Sequence, residues 1–278
     1  HCVVKLKMKK IFLLLYCISI ISCEKKEDIP SFIKVDSIYL NYNEDFGSNT
    51  ENITDVWIYI EDNLQGVYEI PVVFPVLDNG IKNIRVKAGI KANGIASTRV
   101  QYPFYTSYLD TISLVKDEVV EINPNFSYNT SFEAIKEDFE NPGTIIDSTI
   151  NSELDFTIVS ENNNKYGFVE ILSPSINFEI ATENLILPQQ GSPIYLELDY
   201  KSSTEFLVGM YVNYPQDVVK RELIWVTPKN NWNKIYINLT QTVSESIGAE
   251  SFKVFINMRR NDPSPYEEMS FDNLKIIN

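Results

Sequence analysis

Tyr195-Leu196-Glu197-Leu198-Asp199-Tyr200 and Ile235-Tyr236-Ile237-Asn238-Leu239 decide the fold class of this chain. In both, branched apolar residues return at every second position, the spacing that places them together on one face of a β-strand. Working outward, the same kind of segment recurs at 156–159, 166–172, 206–214, 222–227 and 252–258. Upstream, 33–42, 56–60, 66–71, 98–105, 111–116 and 119–122 also read as strands, and 81–88 sets Ile84, Val86 and Ala88 against Asn83, Arg85 and Lys87. Turn residues separate them, notably 43–49, 61–63 and Asp78-Asn79-Gly80. A short segment at 131–138 reads as a helical turn. Asn123-Pro124-Asn125 interrupts the strand pattern and predicts a boundary between domains 32–125 and 126–278, each unfolding on its own. The expected fold class is all-β, with two β-sandwich domains.

The beginning of the chain has a different composition. Met8-Lys9-Lys10 precedes an apolar run at 11–20 and then Ile21-Ser22-Cys23, which reads as a secretory signal peptide over 1–22. Residues 1–7 lie upstream of Met8 and read as a mis-called start. Four lysines leave with this leader, moving the net charge from −14 to −18, so the remainder repels nucleic acid. The one histidine is His1. Without it, Ser-His-Asp and Cys-His catalysis, histidine acid-base work and the usual zinc sites are excluded. No Gly-rich phosphate loop, Gly-x-Ser-x-Gly elbow or CxxC is present. With hydrophobic residues at 44% and aromatics at 12%, the chain can build a large core.

Several stretches resemble known families. Ile20-Ile21-Ser22 ahead of Cys23 resembles a bacterial lipobox, which implies lipidation of Cys23 and cleavage before it. With Cys2 and Cys17 removed and Cys23 taken by lipid, no disulfide forms within the mature chain. Residues 23–31 then form a charged tether, in which Lys26-Glu27-Asp28 resembles the acidic lipoprotein export signal of Bacteroidetes. That resemblance implies an outer-membrane, lipid-anchored protein facing the cell surface. Residues 55–89 are similar to the PEGA or prealbumin-like modules of bacterial surface proteins, implying an Ig-like first sandwich.

Phe139-Glu140, Trp232 before 235–239, and Phe271-Asp272-Asn273-Leu274-Lys275-Ile276 resemble galactose-binding-like jelly rolls, the fold of many carbohydrate-binding modules. The resemblance implies a jelly roll for 126–278. It also implies sugars stacking on exposed aromatics at a sandwich edge or loop, for which Tyr211, Tyr214, Trp225 and Tyr266 are the candidates, with Trp57 and Trp232 left to the core. It further implies possible structural calcium at Glu140 and Asp272, whose alternative role is bonding to backbone at strand ends. No cofactor is required. The expected function is lipid-anchored binding rather than catalysis, with the membrane as one partner through the anchor. The other partner is a glycan, as for a carbohydrate-binding accessory protein, or an outer-membrane protein complex in which this chain is a structural or interaction subunit.

Overall fold

The computed structural model describes residues 28–261 and 263–278. The expected leader and lipidation site at Cys23 lie outside the described residues. The first body contains β1 (Ser31–Val35), β2 (Tyr39–Leu40), β3 (Asp55–Ile60), β4 (Asn63–Glu69), β5 (Val72–Val76), β6 (Gly80–Lys91), β7 (Arg99–Gln101), β8 (Tyr108–Leu114), β9 (Val119–Ile122) and β10 (Asn125–Phe126). The second contains β11 (Ala134–Glu137), β12 (Ile146–Ser148), β13 (Thr157–Glu161), β14 (Asn164–Leu172), β15 (Asn177–Thr182), β16 (Tyr195–Ser202), β17 (Phe206–Tyr214), β18 (Asp217–Val226), β19 (Lys229–Asn238), the short helix α1 (Thr240–Glu245), β20 (Ser251–Arg259) and β21 (Tyr266–Ile277). The described residues are all-β apart from α1.

In the first body a three-stranded sheet, β5-β1-β9, and a sheet ordered β4-β3-β6-β7, with β8 also on β6, enclose one core. Alternation explains it: Ile33 and Val35 of β1, and Ile84, Val86 and Ala88 of β6, are buried, while Phe32, Lys34, Asn83, Arg85 and Lys87 between and beside them are not. The body extends past the expected break. β10 pairs with β2, and Phe126 and Tyr128 are buried in the first core, so pairing and packing carry the chain on where composition signals a stop.

The second body is a jelly roll. One sheet runs β13-β14-β21-β16-β19 and the other β12-β15-β20-β17-β18, so each draws strands from both ends of the sequence, as two interlocked Greek keys require. Between them lie Leu196, Leu198, Val208, Met210, Ile237, Ile256 and Phe271, all buried. The expected helical turn at 131–138 is instead strand β11, paired with β21 from Ala134↔Ile277 to Glu137↔Leu274. Four residues are too few for a periodicity to distinguish helix from strand, and the available edge of β21 decides it.

The first body sits on the outer face of the β16-β19-β21 sheet. Tyr195, Tyr236 and Ile277 belong to the first body's core cluster, where Tyr102 packs edge-on against Tyr195 at 5.4 Å. Between these rings lies a buried ionic network. The Glu197 carboxylate accepts hydrogen bonds from the Tyr102 hydroxyl at 2.7 Å and the Tyr128 hydroxyl at 2.8 Å, and lies 3.2 Å from Lys234 and 3.6 Å from Lys275. Lys234 also meets Asp199 at 3.2 Å. Burial by itself would raise the Glu197 carboxyl, but the two ammonium groups and the phenols outweigh it and hold it below its usual value. Burial pushes Lys275 down to about 8.

Candidate functional site

On β17, Phe206, Val208, Met210 and Val212 point into the jelly-roll core, so Leu207, Gly209, Tyr211 and Asn213 face outward. Cross-strand register places Tyr211 between Lys220 of β18 and Lys253 of β20. One step along, Gly209 lies opposite Phe255, whose ring covers it: a Cβ there would stand 2.3 Å from that ring and 2.4 Å from the Arg221 carbonyl oxygen. Glycine in this strand marks that close approach. Tyr211 leans against Phe255 with ring centroids 5.0 Å apart.

The Tyr211 hydroxyl donates to Glu179 at 2.5 Å, and Asn151 Nδ2 donates to the Tyr211 oxygen at 3.0 Å. Glu179 is buried on β15 and also accepts from Thr149 Oγ1 at 2.8 Å, from Asn151 Nδ2 at 3.0 Å, and from Lys220 Nζ at 2.5 Å. Burial pushes its carboxyl upward, but Lys220, Tyr211, Asn151 and Thr149 together bring it below the ordinary value, so it stays ionised. The Lys220 ammonium stands 4.4 Å from the Phe255 ring centroid. The result is a Tyr ring fixed at both ends, beside an open trough of 690 Å³ that is lined by 144–151 on one side and by Tyr211, Asn213 and Lys253 on the other. Its polar groups are amides, hydroxyls, the carboxylates of Asp147 and Glu183 and one ammonium, set beside aliphatic side chains and one aromatic plane, a mixture that suits recognition of a hydroxylated ligand.

The four expected aromatic residues do not share a site. Tyr211 lines this trough, whereas Tyr214 points inward and packs against the jelly-roll core. Trp225 is 49% exposed and lines a separate cavity of 450 Å³ with Ile95 and Ala96 of the first body. Tyr266, 47% exposed, stands at the start of β21 opposite Leu172. Trp57 is half-buried on β3. Trp232, expected in the core, is 43% exposed, because it sits on the outward side of edge strand β19 just beyond the area the first body covers.

Glu140 and Asp272 meet different donors. Glu140 accepts the Lys165 backbone N–H at 2.7 Å, while Asp272 accepts the Asn273 N–H at 2.7 Å and Asn164 Nδ2 at 3.0 Å. Burial raises the Asp272 carboxyl to about 7. Both carboxylates thus bond backbone N–H groups, as in the alternative role expected for them, and among the described residues no group of three or more His, Cys, Asp or Glu is placed to hold a metal. Sequence reading missed Glu179, Lys220 and Asn151. β15 showed no clear alternation because nearly all of it is buried, and the meeting of these three side chains depends on strand order.

No family model and no curated protein matches this chain. Among solved structures it is similar to a family 11 carbohydrate-binding module from Clostridium thermocellum in complex with a β-1,3-1,4-mixed-linked tetrasaccharide, at 16% identity over 52% of this chain and 94% of that one, with a TM-score of 0.37. It is also similar to a family 30 module (13% identity, 48% of this chain and 77% of that one, TM-score 0.36) and to a family 29 module (11%, 52% and 89%, TM-score 0.34). At these scores the likeness adds no argument, and the jelly roll rests on its strand order.

Proposed function

We propose that the jelly roll is a non-catalytic glycan-binding module, with the trough beside Tyr211 as its sugar site. The observation that carries this reading is an immobilised tyrosine ring at the wall of an open cavity that also presents hydrogen-bonding side chains such as Asn151, Asn213 and Lys253. Glu179 serves as the brace of that ring: all its near partners hold it in place, which leaves it unsuited to acid-base work. A ring held in advance loses little entropy when a sugar packs on it.

Titration of the full chain with xylohexaose, mannohexaose and a mixed-linked tetrasaccharide tests the reading. Tyr211→Ala should weaken the trough's affinity about tenfold or more, since such an aromatic contact is worth about 1 kcal/mol beyond its buried area. Tyr266→Ala, far along β21, should leave affinity unchanged. Equal affinity of Tyr211→Ala and wild type would remove the trough from the account.

The proposal includes a lipid anchor at Cys23 and a place on the outer membrane, supported by the leader and the charged tether. Cys23→Ser should move the protein from the membrane fraction to the soluble fraction. Retention of that variant in membranes at the wild-type level would reject the anchor and leave the sugar site untouched.

A further inference from the structure

A second cleft lies at the junction of the two bodies, on the opposite sheet from the trough. Its cavity of 440 Å³ is lined by Thr50 and Glu51 from the first body and by Asn164, Trp232, Asn233 and Asp272 from the second. Trp232 is held by its neighbours: Tyr166 meets it edge-on at 5.3 Å, and Lys201 Nζ lies 5.4 Å from its ring centroid. Nearly half of its surface nevertheless stays open, unlike the rings on the same sheet that the first body covers.

The side-chain oxygens of the cleft are placed to accept hydrogen bonds. Asn164 Nδ2 donates to Asp272, Asn233 Nδ2 to the Lys234 carbonyl, and Asn273 Nδ2 to Asp199, so each amide oxygen remains available. The cleft also holds carboxyl groups without a counter-ion. Lys234 and Lys275 offset Glu197 and Asp199, whereas neither Asp272 nor Glu51 has an ion-pair partner among the described residues. Asp272 is only 4% exposed, and its two partners are neutral N–H groups. An occupant must therefore bring hydroxyl donors and an apolar face, and must not bring negative charge.

We propose that this junction cleft is a second sugar site, taking a neutral sugar residue whose ring face lies on Trp232 and whose hydroxyls donate to Asp272, Asn164 and Asn233. The inference rests on the glycan-binding reading of the protein but on a different sheet and a different aromatic residue, and on the junction of the two bodies, which the trough does not touch. Because Thr50 and Glu51 come from the first body, the site is complete only when the two bodies are docked.

The test is isothermal titration of the full chain with xylohexaose, mannohexaose and the mixed-linked tetrasaccharide, and with tetragalacturonate as an anionic probe. Wild type should bind a neutral probe at two sites and Tyr211→Ala at one. Trp232→Ala should lose the cleft with about a tenfold fall in its affinity. Asp272→Asn, nearly isosteric, should weaken the same site while its melting curve confirms folding. If both cleft variants bind every probe as wild type does, the cleft is overturned and the trough survives. Loss of all binding in Trp232→Ala, with Tyr211→Ala unaffected, supports the cleft and overturns the trough. Tetragalacturonate binding at the cleft, or no neutral probe binding wild type, also overturns the proposal.

Discussion

Glu197→Ala is expected to lower the stability of the whole protein by about 3–5 kcal/mol, the usual cost of removing one partner from a buried ion pair. The carboxylate is completely buried and is shared by Lys234, Lys275, Tyr102 and Tyr128. Without it Lys275 keeps the Ser48 carbonyl at 3.0 Å and the Tyr128 hydroxyl at 3.1 Å, but no anion close by, and the Tyr102 hydroxyl loses its acceptor. Because the network joins β16, β19 and β21 to the first body, the damage should reach both halves. Urea unfolding can be followed by tryptophan fluorescence in variants that keep only Trp57, in the first body, or only Trp225, in the second. Wild type should give coincident transitions, and Glu197→Ala should shift both to lower urea and separate them. A midpoint unchanged in both reporters would show that the network contributes no net stability.

Gly209→Ala should cost about 3 kcal/mol, at the upper end for overpacking, and should disable the trough as well. The added methyl meets the Phe255 ring at 2.3 Å and the Arg221 carbonyl oxygen at 2.4 Å. The ring could be displaced, but the carbonyl belongs to the paired strand β18 and cannot move without breaking the ladder. Displacing Phe255 removes the support of Tyr211, so glycan affinity should fall together with stability. Gly66→Ala is the contrast: its methyl first meets the outer end of the Tyr68 side chain rather than a strand carbonyl, so the cost should be under that of Gly209→Ala. Calorimetric melts of the two variants decide the matter, and equal, small shifts would mean that the approach of Phe255 to β17 is not tight.

The strands that carry most of the core were legible because alternation is local. Leu196, Leu198, Ile235 and Ile237 announce their face whatever they pack against, and all four are buried in the jelly roll. β15 and β11 were not legible. The first is buried along nearly its whole length and shows no polar side, and the second has four residues whose state is set by the free edge of β21.

The candidate site divides in the same way. Tyr211 could be singled out as a ring on a strand, but Tyr214 has the same local character and points the other way, because alternation along β17 puts residues of opposite parity on opposite faces. Trp232 shows the limit most clearly: whether a tryptophan on an outward face is buried depends on how far another body extends over it. Composition and periodicity by themselves determined an all-β chain with two sandwiches and no histidine chemistry beyond residue 1. Only the tertiary structure decided that Glu179 braces Tyr211, that Glu197 joins the two bodies, and that Trp232 faces a cleft. Each of these depends on residues between 32 and 95 or more positions apart meeting across strands, and a local pattern carries no information about which strands will be neighbours.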